Sequence, residues 1–126
     1  MITGVGIDIT EVERMASGIN QEAGFRELVF TKKEIDYCES KTNKFEHYAA
    51  RFAAKEAFLK AIGTGWKQGT SFNEIEIIHD NEGKPKMNLL GETANTLSSL
   101  HISKILISLS HIKSLATAIV IIEKQS

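Results

Sequence analysis

Arg51-Phe52-Ala53-Ala54-Lys55-Glu56-Ala57-Phe58-Leu59-Lys60-Ala61 decides the reading of this 126-residue chain. Wound at 3.6 residues per turn, residues 44–62 place Phe45, Tyr48, Ala49, Phe52 and Leu59 on one stripe, the pattern of a helix laid on a core. Glu56 falls on that stripe too, about 20° from Phe45 around the axis. A carboxylate on a buried face is costly unless paired, so the site must supply a cation, either a side chain or a metal ion. Lys60 stands one turn on in the favourable orientation, but such a helical pair contributes only about 0.2–0.5 kcal/mol.

Asn43-Lys44-Phe45-Glu46 reads as the start of this helix and Gly63 as its stop. In the loop beyond, Gly63-Thr64-Gly65-Trp66-Lys67-Gln68-Gly69-Thr70, the glycines leave backbone N–H groups accessible to a phosphate. The loop follows a helix rather than opening one, so it fits neither the dinucleotide-binding nor the Walker pattern. Upstream, Thr31 and Glu34 form a capping box stapled by Phe30 and Ile35, predicting a helix to about Ser40. Residues 2–10 alternate as a half-buried strand, with Val5, Ile7 and Ile9 on one face and Gly4, Gly6, Asp8 and Thr10 on the other. The two glycines leave a hollow beside Asp8 for a ligand or another backbone. Thr10-Glu11-Val12-Glu13 then predicts a capped helix ending at Gly18.

Downstream, Phe72–Ile78 and Pro85–Leu89 form a hairpin around the turn Asp80-Asn81-Glu82-Gly83-Lys84. A short helix over Glu92–Leu100 follows, then strands Ile102–Ser110 and Leu115–Ile122 joined by His111-Ile112-Lys113-Ser114. The last strand is apolar on both faces and belongs in the middle of its sheet. Strands at both ends with helices between them indicate α+β, a single domain over 1–126 with an antiparallel sheet packed on one long helix.

The composition is that of an ordinary globular domain, 42% hydrophobic and 25% charged. A net charge of -1 without basic runs gives no electrostatic footprint for nucleic acid. No apolar run is long enough to span a bilayer and no basic leader precedes an apolar core. The single cysteine, Cys38, cannot form an internal disulfide, and with it the reading is a cytoplasmic protein and a structural thiol.

Two acids in unusual places, Asp8 and Glu56, make sense together if they meet across the helix–sheet contact. Few carboxylates and oxygen-only ligation suit Mg²⁺, with substrate phosphates filling its remaining positions. His47, His79, His101 and His111 lack a short-spaced pair, which argues against zinc. Arg51, Lys55 and Lys60 add positive charge around the helix, suitable for a pyrophosphate. Lys55 projects to another face than Glu56 and is read as solvated. These spacings point to metal-assisted phosphoryl or pyrophosphate transfer.

Gly4-Val5-Gly6-Ile7-Asp8-Ile9 with Arg14, Phe30-Thr31 before Glu34 and Tyr37-Cys38, the Arg51–Ala61 stretch with Gly63-Thr64-Gly65, Gly83-Lys84-Pro85, and Ser110-His111 with Ala116 and Ala118 together resemble the holo-[acyl-carrier-protein] synthases. The match runs over nearly the whole chain. It implies the 4'-phosphopantetheinyl transferase fold and transfer of the phosphopantetheine arm of coenzyme A to a serine of apo acyl carrier protein, releasing adenosine 3',5'-bisphosphate, in fatty acid biosynthesis. By the same resemblance Asp8 and Glu56 are Mg²⁺ ligands, and Lys60 acts at the phosphates as the third catalytic group. Arg51, Lys60, Gly63, Gly65, Lys84, Pro85 and His111 bind coenzyme A, and the protein is a homotrimer with active sites between neighbours. The serine's proton goes to Glu56 or to a metal-bound water. Ile112 and Leu115 depart from residues that are often polar there. Arg14 and Arg26 are candidates for docking an acidic carrier. Two other readings compete: a transferase serving polyketide or peptide carrier domains, and a coenzyme A or nucleotide binding module without transfer. The joint presence of Asp8, Glu56 and Lys60 favours catalysis over the second.

Overall fold

The computed structural model describes residues 1–63 and 68–125. In chain order these form β1 (Ile2–Glu11), α1 (Val12–Gln21), α2 (Phe25–Val29), α3 (Lys32–Glu39), α4 (Lys44–Ile62), β2 (Ile75–His79), β3 (Pro85–Leu89), α5 (Gly91–Leu97), β4 (Ile102–His111) and β5 (Leu115–Lys124). Three strands make one antiparallel sheet in the order β1-β5-β4, and β2 and β3 make a separate antiparallel pair. The apolar β5 therefore lies centrally, as its two-sided hydrophobicity predicts.

The sheet packs on α4. Ala53, Ala54, Ala57, Phe58 and Ala61 of the helix meet Ala118, Val120 and Ile122 of β5 and Ile75 and Ile77 of β2 in one cluster. Small residues on α4 allow close approach, and the two glycines of β1 complete it. A β-carbon on Gly4 would collide with the Ala61 carbonyl and one on Gly6 with the Ala57 carbonyl. The hollow beside Asp8 is thus filled by helix backbone. A second cluster joins Val12 and Met15 of α1, Val29, Phe30 and Cys38 to Tyr48, Ala49 and Ala50 of α4.

The apolar face of β1 points away from the helix. Val5, Ile7 and Ile9 are 59%, 63% and 64% exposed, because the glycine face is the one that meets the helix. In register, Leu106 of β4, Ile121 and Val5 stand in one row, and Ser108, Ile119 and Ile7 in the next. The outer face of this sheet is therefore a broad apolar surface with no cover among the described residues.

Local signals were kept or overridden by partners far along the chain. Thr31 and Glu34 form the full reciprocal capping box at the head of α3. Asn43 precedes α4 without capping it through its side chain, and Glu46 turns instead to His111. Thr10 does not cap α1. It stays in the strand, paired with Ala116, and its hydroxyl donates to Asp8. Helix α1 runs past Gly18 to Gln21.

Lys55 is fully buried rather than solvated, and its ammonium donates to Glu34 Oε1 at 2.7 Å and to the carbonyls of Val29 and Phe72 at 2.7 and 2.8 Å. Glu34 also accepts the N–H of Ile77 and that of Thr31. One buried ion pair thereby ties α4 to the end of α2, the head of α3 and the approach to β2.

Candidate active site

Helix α4 and strand β1 bring Asp8, Glu56 and Lys60 together. Lys60 Nζ donates to Asp8 Oδ1 at 2.9 Å and to the Ile7 carbonyl at 3.0 Å. The Thr10 hydroxyl donates to Asp8 Oδ2 at 3.2 Å, and that of Thr117 on β5 to the Asp8 carbonyl at 2.9 Å. Asp8 is 16% exposed and Lys60 54%, so the lysine reaches in from solvent over a nearly covered carboxylate. Glu56 is half-buried beside them, less enclosed than its place on the apolar stripe predicts. Burial first, and then the neighbouring Asp8 charge, raise its pKa above the usual carboxylate value, while Lys60 pulls the other way. No described residue donates a hydrogen bond to it. The hydrogen bond to Asp8 and its charge raise the pKa of Lys60.

Asp8 and Glu56 open on a cleft of about 650 Å³ whose walls include Thr10, Arg14, Phe25 and Phe52. Arg14 thus stands at the mouth of the cleft, 82% exposed and only loosely paired with Glu11 at 3.9 Å. Arg26 does not join it. Its guanidinium is held by Glu27 and Glu39, within a network that includes Lys44 and the Tyr48 hydroxyl.

The residues expected to hold coenzyme A divide between two places. Arg51, Pro85 and His111 line a recess of about 300 Å³ with Tyr37, His47 and His79. Arg51 is almost wholly buried, its guanidinium stacked 4.2 Å from the Tyr37 ring centre and 3.3 Å from His79 Nδ1, with Nε unpartnered. Glu46 Oε1 lies 2.8 Å from His111 Nδ1, and the His47 ring meets that of His111 edge-on at 5.0 Å. Lys84 lies beside Pro85 on the β2–β3 turn, whose backbone Asp80 holds by accepting from Glu82 and Lys84. Lys60 and Gly63, the latter closing α4 at φ +79°, belong to the other end of the helix. Gly65 lies outside the described residues. Arg51 and Glu56 are five positions apart, about 140° around α4, so recess and cleft face away from each other.

Of the three cations read around the helix, then, only Lys60 is exposed. The recess residues Tyr37, His47 and His79 were not singled out as ligand-facing by spacing, since they converge from α3, α4 and β2. Tyr37 belongs to the motif Tyr37-Cys38 and carried the only signal.

Asp8 and Glu56 fit a hard cation: two oxygen ligands meet in a cleft, and one of them is half-buried without a protein donor. Among the described residues no group of three or more His, Cys, Asp or Glu side chains is placed to hold a metal. A cation here therefore takes its remaining ligands from water or a substrate's phosphates.

A family description of the 4'-phosphopantetheinyl transferase superfamily matches residues 4–120. The chain is 47% identical to the holo-[acyl-carrier-protein] synthase of Cytophaga hutchinsonii, over 98% of this chain and 99% of that one. It is 41% identical to that of Geotalea daltonii, over 98% and 100%. Among solved structures, the synthase of Neisseria meningitidis superposes with a TM-score of 0.88 at 34% identity, over 98% of this chain and all of that one. The synthase of Bacillus anthracis, in complex with CoA (3',5'-ADP), superposes with a TM-score of 0.81 at 34% identity, over 99% of both chains. Motif, fold and full-length similarity agree, and the chain belongs to the 4'-phosphopantetheinyl transferase superfamily and, within it, to the holo-[acyl-carrier-protein] synthases.

Proposed function

We propose that the protein transfers the 4'-phosphopantetheine group of coenzyme A to a serine of apo acyl carrier protein, with Mg²⁺ at Asp8 and Glu56. The observation that carries this reading is the cleft that Asp8 and Glu56 share with Arg14, with Lys60 bonded to Asp8. The serine oxygen bonds to the phosphorus bearing the pantetheine arm, and the bridging P–O bond breaks. Adenosine 3',5'-bisphosphate leaves, and the serine proton passes to a base in the cleft. Asp8 and Glu56 would hold the Mg²⁺, which when bound would neutralise the pyrophosphate's charge. Lys60, 54% exposed, turns its ammonium from Asp8 to the leaving phosphate. Arg14 meets acidic residues of the carrier. Arg26 would have to leave Glu27 and Glu39 to take part in docking.

Coenzyme A also needs the Arg51, Pro85 and His111 recess for its nucleotide, with Lys84 on the adjoining turn, and that recess faces away from the cleft of the same chain. The uncovered apolar face of Val5, Ile7, Ile9 and Ile119 supports a homotrimer in which a neighbour's recess completes each cleft. No helix of the described residues is long and apolar enough to cross a membrane. With a lone, fully buried cysteine, the protein's proposed setting is the cytoplasm, serving fatty acid synthesis.

The test is the intact mass of purified apo acyl carrier protein after incubation with this protein, coenzyme A and Mg²⁺. A gain of one phosphopantetheine, lost on chelation, is the expected result. Bound coenzyme A with no mass gain on any carrier would reduce the protein to a binding module.

A further inference from the structure

We infer that Thr10 is a positioning residue that holds the Asp8 carboxylate open for the cation; this rests on the reading of Asp8 and Glu56 as the cation pair. The terminal torsion of an aspartate is broad and two-fold, so strand geometry alone does not set the plane of its carboxylate. Here each oxygen has its own donor, Lys60 Nζ on Oδ1 and the Thr10 hydroxyl on Oδ2. Thr10 sits two positions along β1, on the same side of the sheet, and lines the cleft with Asp8 and Glu56. Its cross-strand partner is Ala116, which offers the hydroxyl no alternative polar group. Thr117 meanwhile fixes the Asp8 main chain through its carbonyl. Without the Thr10 hydroxyl, the carboxylate is free to turn both oxygens to the Lys60 ammonium. That group is a point charge with three donors and competes with the cation for the same lone pairs.

The experiment compares Thr10→Val, which keeps the β-branched shape, with Thr10→Ser, which keeps the hydroxyl. Mn²⁺ binding to the purified protein is titrated by electron paramagnetic resonance, and the Mg²⁺ dependence of transfer is measured alongside. Loss of a longish hydrogen bond to a charged group predicts Mn²⁺ affinity about three- to tenfold weaker in Thr10→Val. The Mg²⁺ needed for half-maximal rate rises in parallel and changes more than kcat does, while Thr10→Ser stays near wild type. Equal Mn²⁺ affinity in Thr10→Val and wild type overturns the inference, as does a Thr10→Ser variant as weak as Thr10→Val. Failure of the wild type itself to bind Mn²⁺ overturns the cation reading with it.

Discussion

Replacing Lys55 by methionine tests whether the buried ion pair holds α4 in place. Methionine matches the unbranched stem and removes only the ammonium. All three ammonium protons are used in the native chain, on Glu34 and on the Val29 and Phe72 carbonyls, at 2.7–2.8 Å. Both side chains have no solvent exposure, and burial depresses the pKa of Lys55 despite Glu34. The variant leaves a carboxylate and two carbonyls without this donor. Breaking a buried pair from one side costs about 3–5 kcal/mol. For a domain of this size that is a fall in Tm of roughly 10–20 °C. Circular dichroism during thermal and urea unfolding, at one fixed protomer concentration, measures it. Adding Glu34→Gln removes the unpaired charge and should return part of the loss. A single variant within about 1 kcal/mol of wild type, or a double variant no better than the single, would refute the reasoning.

Gly6→Ala puts a β-carbon onto the Ala57 carbonyl and 2.8 Å from the Ala61 nitrogen. Strand β1 must lift from α4, and a loss of about 1–3 kcal/mol should come with at least a tenfold fall in transfer, read by melting and by carrier mass; unchanged stability and rate would show that β1 yields freely. Ile7→Glu places a charge on the uncovered sheet face, and light scattering should show monomers with activity lost together with the trimer. A fully active trimer would move the interface elsewhere. Burial first, with the His111 and Arg51 charges behind it for His47 and Arg51 behind it for His79, holds both imidazoles below the usual 6.5. The folded state then binds fewer protons than the unfolded, so their contribution to stability is present above pH 6.5 and lost as pH falls from there through the depressed values. NMR titration should place both midpoints under 6.5, and a midpoint above it for either ring contradicts this. Burial also pushes the Cys38 thiol up to about 12, so a disulfide reagent should label it only as the chain unfolds, whereas rapid labelling of the native protein would count against that burial.

What the sequence made legible were features with local signatures. The 3.6-residue period places α4, the reciprocal pair Thr31 and Glu34 starts α3, and an all-apolar run puts β5 in the centre. Asp8 and Glu56 were visible because each breaks the pattern of its own element. Features set by distant partners were not. Lys55 looks solvated on a helical wheel because Glu34 and the carbonyls of Val29 and Phe72 come from outside the helix. Thr10 carries a cap's signature, but pairing with Ala116 and bonding to Asp8 outweigh it. The five-residue α2, entered through Gly24 in the left-handed region, is too short for a periodic signal. Alternation alone left open which side of β1 meets the helix. The two glycines did carry that information, since only a face without side chains admits a backbone so close.

That close approach links the fold to the chemistry. Because β1 lies directly on α4, the carboxylate two residues past Gly6 arrives beside Glu56, and the apolar side chains of β1 are left facing outward. The same helix sends Arg51 into a recess about 140° away. One residue of rotation is about 100°, so a helix free to turn would lose both sites together. Lys55, one turn on from Arg51 and about 100° from Glu56, fixes that rotation through its buried bonds to Glu34 and to the Val29 and Phe72 carbonyls. On the proposed reading, a single copy then presents a cleft for a pyrophosphate and, facing away, a recess for a nucleotide. Copies joined cleft to recess make heterologous contacts, and such contacts leave no half-site unfilled only when the ring closes. The outward apolar face of β1 and β5 is the surface on which the proposed trimer closes it.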